Sequence, residues 1–113
     1  MSENTKSNSY VELACRYIAE NYMHGIGVAD ISAYVAIDRT YLYRLFLREK
    51  GVSTSKYLQS FRLERAKELL SDGKIPLLDV HREVGFTYRS RFVKMFRKAY
   101  GLTPADYVKS KNE

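Results

Sequence analysis

The chain has 113 residues, 45% of them apolar, with a net charge of +6 and a pI of about 9.5. That length bounds it at one domain or two very small subdomains, and no apolar run of ~18 residues is present to span a membrane. The single Cys15 excludes an internal disulfide and fits a reducing, cytoplasmic setting.

In chain order, the opening MSENTKSNS is polar, so residues 1–9 read as a tail without a signal peptide. Ser9 with Glu12 forms a capping-box pattern that starts a first helix over Tyr10 to Tyr22, and His24-Gly25 stops it. A short second helix is expected over Val28 to Val35, followed by a turn at Ala36-Ile37-Asp38. Asp38 is placed to cap a third helix, Arg39 to Lys50, which Gly51 closes. Ser53 opens a long fourth helix that ends near Gly73. Pro76 suits the first position of a fifth helix reaching Val84, and Gly85-Phe86-Thr87 is a turn. Thr87 and Gly101 can bound a sixth helix, and Thr103-Pro104 starts a seventh. No alternating strand pattern appears, so the expected class is all-α.

The sixth helix holds five basic side chains and no acid between Thr87 and Gly101. At 100° per residue, Phe92, Met95, Phe96 and Ala99 share one arc near Tyr88. Ser90, Lys94, Arg97 and Lys98 lie opposite, with Arg91 at the edge. Charge is unevenly spread along the chain. Residues 1–38 carry two basic and five acidic groups, 39–70 eight and three, and 71–113 nine and five. Positive charge confined to the later segments points to a polyanionic partner.

The chain also repeats itself. Shifted by 50, YLYRLFLREKGVSTSKYL (41–58) lies over RFVKMFRKAYGLTPADYV (91–108), so that Phe46 meets Phe96, Gly51 meets Gly101 and Tyr57 meets Tyr107. Upstream the shift is 49, bringing Ile31 onto Val80, Val35 onto Val84 and Ala36-Ile37 onto Gly85-Phe86. Each copy reads as a short helix, a tight turn and a longer helix with a basic outer face, the helix-turn-helix pattern. The second helix of such a pair is the one that enters a major groove.

With these residues in view, the sequence resembles the DNA-binding domain of AraC/XylS transcription regulators. The resemblance rests on ADISAYVAIDRTYLYRLFLREKGVSTSKYLQSFRLERAKELL and LLDVHREVGFTYRSRFVKMFRKAYGLTPADY, and covers about Val28 to Tyr107. It implies two helix-turn-helix subdomains, at 10–52 and 74–110, joined by a linker helix at 53–73. It also implies double-stranded DNA and RNA polymerase as partners, a role as activator or repressor, and a separate ligand-sensing or dimerising domain outside this chain. Carried over residue by residue, the base-facing positions fall on Thr40, Tyr43 and Arg44 in the first recognition helix, with Arg39 and Arg48 placed for phosphate or flanking contacts. In the second they fall on Arg89, Ser90 and Lys94, with Arg91, Arg97 and Lys98 nearby. Arg89, Arg91 and Val93 depart from the residues usual in the family's second turn and helix, so no base preference is carried over there. Leu47 points outward where a polar residue is common, which reads as an ordinary exposed leucine or a partner contact.

Other chemistry finds little footing in the residues. His24 and His81 lack ligand-like partners at suitable spacing, so no metal is expected. Cys15 shares a helical face with Val11, Ile18 and Tyr22 and reads as a core thiol. Asp72-Gly73-Lys74 is a helix stop and not part of a phosphate loop. Asp30, Asp79 and Glu83 sit on short scaffold helices, and no cofactor or catalytic step is expected. The ten tyrosines read as packing residues, and the alternative to a DNA reader is a basic module that docks an acidic protein.

Overall fold

The computed structural model describes residues 2–112, with side chains from residue 9 onward; Met1 and Glu113 lie outside the described residues. Seven helices and no strand occur among them: α1 (Ser2–Asn21), α2 (Val28–Val35), α3 (Arg39–Lys50), α4 (Thr54–Asp72), α5 (Leu77–Glu83), α6 (Arg89–Tyr100) and α7 (Pro104–Lys111). The all-α class expected from the sequence is therefore the class observed.

α1 begins at Ser2, so Ser9 lies inside the helix instead of capping it. No Pro or Gly interrupts residues 2–20, and a polar segment without a breaker prolongs a helix already anchored by Val11, Ala14 and Ile18. The later caps behave as their chemistry dictates. Asp38 Oδ2 accepts from the N–H groups of Thr40 at 2.9 Å and Tyr41 at 3.3 Å, starting α3. Ser53 Oγ accepts from Lys56 N–H and Thr103 Oγ1 from Asp106 N–H, each at 3.1 Å, starting α4 and α7. Pro76 stands at the N-cap of α5 and not inside it, while α6 is capped by Tyr88, with no side-chain cap bond, instead of by Thr87.

The chain divides into two compact units. Among the described residues the first holds 2–22 and 26–61, the second 23–25 and 62–112, so α4 contributes to both. In the first unit α1 packs on α2 and α3. Ile31, Leu42 and Phe46 are fully buried there, with Leu58 of α4 beside them. In the second unit α6 packs on α5 and α7, and Val80, Val84, Phe92 and Phe96 are buried together with Leu63 and Ala66 of α4.

The repeat is physical as well as textual. Phe46 meets Tyr57 edge-on with ring centroids 5.4 Å apart, and Phe96 meets Tyr107 edge-on at 5.7 Å. Gly51 and Gly101 end α3 and α6 with φ of 75° and 80°. Both helix-turn-helix turns use one bonding scheme: Ala36 N–H donates to Ala33 C=O and Ile37 N–H to Ser32 C=O, while Gly85 N–H donates to Arg82 C=O and Phe86 N–H to His81 C=O. The scheme requires a left-handed residue, which is Gly85 at φ 99° in one copy and Ala36 at φ 60° in the other.

These two turns make opposite predictions. Gly85→Ala places a Cβ in a conformation L residues avoid and should destabilise the chain by about 1–2 kcal/mol. Ala36→Gly relieves that cost but adds freedom to the unfolded chain, so a net gain of about 0.5–1 kcal/mol is expected. Denaturant unfolding midpoints of the two variants check both signs.

Candidate nucleic-acid interface

Two faces carry the sequence-derived candidates. On α3 the buried stripe is Leu42, Leu45 and Phe46, which leaves Arg39, Thr40, Tyr43, Arg44 and Arg48 exposed to solvent. On α6, Phe92 and Phe96 are buried, and Arg89, Ser90, Arg91, Lys94, Arg97 and Lys98 are all exposed. The structure thus brings five candidates together on one helix of the first unit and six on one helix of the second.

The packed stripe of α6 differs from the wheel in two respects. Ala99 is exposed, and Tyr100 takes its place, half-buried. The stripe runs through Phe92, Phe96 and Tyr100 because α6 is tied to α4 there: the Tyr100 hydroxyl donates to Glu64 Oε1 at 3.1 Å and Lys67 Nζ lies 4.5 Å from the ring centroid. Burial first, and then the Glu64 bond and its charge, push the Tyr100 hydroxyl pKa above its ordinary value. Tyr88 also leaves the packed arc: it is 69% exposed, because as an extended N-cap with φ −116° it stands off the helical wheel. With Tyr34, Tyr41 and Tyr43 it makes four exposed tyrosines, of which Tyr34 still stacks on Tyr17 with centroids 4.5 Å apart and Tyr41 meets Tyr10 edge-on at 6.4 Å.

Electrostatically the two faces are alike in sign and different in detail. Among the described residues, Arg89, Arg91, Lys94, Arg97 and Lys98 form no ion pair, and neither do Arg39 and Arg44. Arg48 Nε lies 3.6 Å from Glu49 Oε2. The start of α3 carries its own carboxylate, Asp38, whereas the start of α6 carries none. Around each helix lies an open concavity. Val28 at the start of α2 lines one with Arg39, Thr40 and Tyr43; the other is lined by Ser90, Val93, Lys94, Arg97, Lys98 and Thr103.

One contributor escaped the sequence reading. Arg62, on α4, is buried, and its Nη2 donates to the His24 carbonyl at 3.0 Å. Its pKa is lowered, first by burial and then by the positive charge of Arg91. Nothing local marks Arg62, since it is one of many basic residues on a helix and only burial separates it.

The remaining candidates resolve simply. Asp30 Oδ2 accepts from Gly27 N–H at 2.8 Å, and Asp79 Oδ1 lies 3.6 Å from Arg82 Nη2. Cys15 is half-buried against the first core, and the Tyr57 hydroxyl is pushed up to about 12 by burial first and by Cys15 second. Among the described residues no three of His, Cys, Asp and Glu gather as metal ligands would, and no helix is long and apolar enough to cross a membrane.

Comparison with known proteins agrees with this geometry. The family model described as a helix-turn-helix domain matches residues 31–110. The raffinose operon transcriptional regulatory protein of Pediococcus pentosaceus is 35% identical over 105 residues, which is 93% of this chain and 38% of that regulator's length. The C-terminal domain of AraT, a response regulator from Geobacillus stearothermophilus, superposes with a TM-score of 0.85 at 26% identity, covering 89% of this chain and 84% of that one. A transcriptional regulator of the AraC-type DNA-binding class from Chromobacterium violaceum gives 0.83 at 26% identity, covering 95% and 96%. The chain belongs to the helix-turn-helix domain family and, within it, to the AraC type.

Proposed function

We propose that this chain is the sequence-specific, double-stranded DNA-binding part of a cytoplasmic transcription regulator, and that it acts without a catalytic step or cofactor. The observation that carries the reading is the pair of exposed cationic faces, that of α6 free of acidic residues, each on the second helix of a helix-turn-helix. The chain spans 38% of its raffinose-operon relative, which supports a further ligand-sensing or dimerising domain in the whole protein. RNA polymerase is the partner through which such a regulator would act.

The roles follow from chemistry. The Arg44 guanidinium bonds guanine O6 and N7 bidentately, and Lys94 donates to the same atoms. Thr40 and Ser90 bond a base edge or a phosphate, and Tyr43 packs on sugar or a thymine methyl. Arg39, Arg48, Arg89, Arg91, Arg97 and Lys98 serve phosphates and flanking positions. Because α3 and α6 differ in sequence, the two segments they read should differ too, and the domain itself demands no palindrome.

Selection from random duplexes, followed by titration of the preferred site, tests the reading. Log affinity should fall with log salt by about 0.9 per phosphate neutralised. A flat salt response, or no preference among duplexes, favours a basic module that docks an acidic protein.

Arg44→Ala and Lys94→Ala should each cost on the order of 1–3 kcal/mol at the preferred site and relax discrimination at about one or two base pairs. Arg97→Ala and Lys98→Ala should weaken all duplexes alike and make the salt slope shallower. Uniform loss in the first pair would remove their base-reading role.

The site should hold two boxes about one helical turn, ~34 Å, apart, one for each recognition helix. Inserting about five base pairs between them turns one box to the opposite face of the duplex, and affinity should drop sharply. Unchanged binding in a footprint of the altered duplex would leave a single reading helix.

A further inference from the structure

The outward stripe of α3 is not wholly polar. Thr40, Tyr43, Arg44 and Leu47 follow one another at spacings that keep them on one side of the helix. Tyr43 is 47% exposed and Leu47 42%. As i and i+4 neighbours their side chains adjoin, forming a small apolar surface beside Arg44. Any polyanion that reaches Arg44 must also meet this surface.

An apolar side chain pressed against a phosphate strips water from the charge and returns no hydrogen bond. The same side chain against the major-groove floor meets an apolar group made for it, the C5-methyl of thymine. The second copy sharpens the contrast. Fifty residues on, Leu47 is replaced by Arg97 and Tyr43 by the half-buried Val93, so α6 has no exposed apolar side chain at these positions.

We propose that Leu47, paired with Tyr43, is a specificity-determining contact that seats a thymine C5-methyl group in the segment read by α3. This rests on the DNA-binding reading above. It gives the two helices different chemistries, with α3 reading a thymine by its methyl and α6 relying on cationic and hydroxyl donors.

Deoxyuridine differs from thymidine only by that methyl, so it isolates the contact. In the selected duplex, each thymine of the α3 box is replaced singly by deoxyuridine. About one or two replacements should weaken binding of the whole chain about three- to five-fold, the effect of one methyl's worth of buried apolar surface. Leu47→Ala should bind the thymine duplex more weakly by a similar factor and lose the thymine-over-uracil preference. Leu47→Lys, which mimics the register of Arg97, should lose that preference as well while binding all duplexes through its charge. The inference is overturned if no replacement matters, or if both variants keep the wild-type preference. In either case a selected duplex and a steep salt response leave the DNA-binding reading standing. A chain that selects no duplex overturns both.

Discussion

The structure depends most on one backbone requirement: a left-handed residue between the two helices of each helix-turn-helix. At Ala36 and Gly85 the chain reverses with two N–H groups satisfied by the preceding helix. The next residue is thereby aimed inward, Ile37 against the first core and Phe86 into the second. With that plug in place the second helix has only one face to bury. Leu42 and Phe46, or Phe92 and Phe96, must turn in, so the basic residues between them must turn out. The cationic faces are thus consequences of a turn as much as of their own composition.

The same logic is applied twice with different fillings. The first copy accepts a Cβ in a costly conformation at Ala36, and packs Tyr57 edge-on against Phe46. The second uses Gly85 and an aromatic column, Phe86 on Phe92 at 5.4 Å and Phe92 on Phe96 at 5.8 Å. His81 is buried beside that column, its ring 6.4 Å from Phe92. Bonds from Tyr100 to Glu64 and between Tyr107 and Ser71 then fasten α6 and α7 to the second part of α4. Each recognition helix is therefore held by side chains on its inner face, which leaves the outer face free to vary.

Charge placement follows from that freedom. Salt bridges within the protein would neutralise a face meant for a polyanion, and the five basic side chains on α6 form none among the described residues. Arg62 of the supporting helix α4 is buried, and the cost of that burial is offset in part by its bond to the His24 carbonyl. On α3 the Asp38 carboxylate satisfies the first N–H groups, Arg48 lies beside Glu49, and Arg44 further out on the helix forms no ion pair among the described residues.

The sequence by itself determined the bounds of α2 and α3, the seventh helix starting at Thr103-Pro104, the two-copy plan and the outward candidates. These rest on local chemistry: a period of 3.6, caps that bond groups two or three residues away, and glycines that adopt a positive φ without strain. The start of α1 escaped it, because a capping pattern at Ser9 is only an opportunity and the helix above it had no breaker. What only the tertiary structure decided concerns neighbours brought from far along the chain. The exposure of Ala99 is set by Glu64 drawing Tyr100 inward, and Arg62 differs from Arg65 only because the segment around His24 covers it. The division of α4 between two units falls at residues 61 and 62, inside an unbroken helix with no composition change to mark it. Periodicity tells which side of a helix is apolar, but burial is fixed by what packs against that side, and such partners come from far along the chain, as Phe61 does to Tyr22.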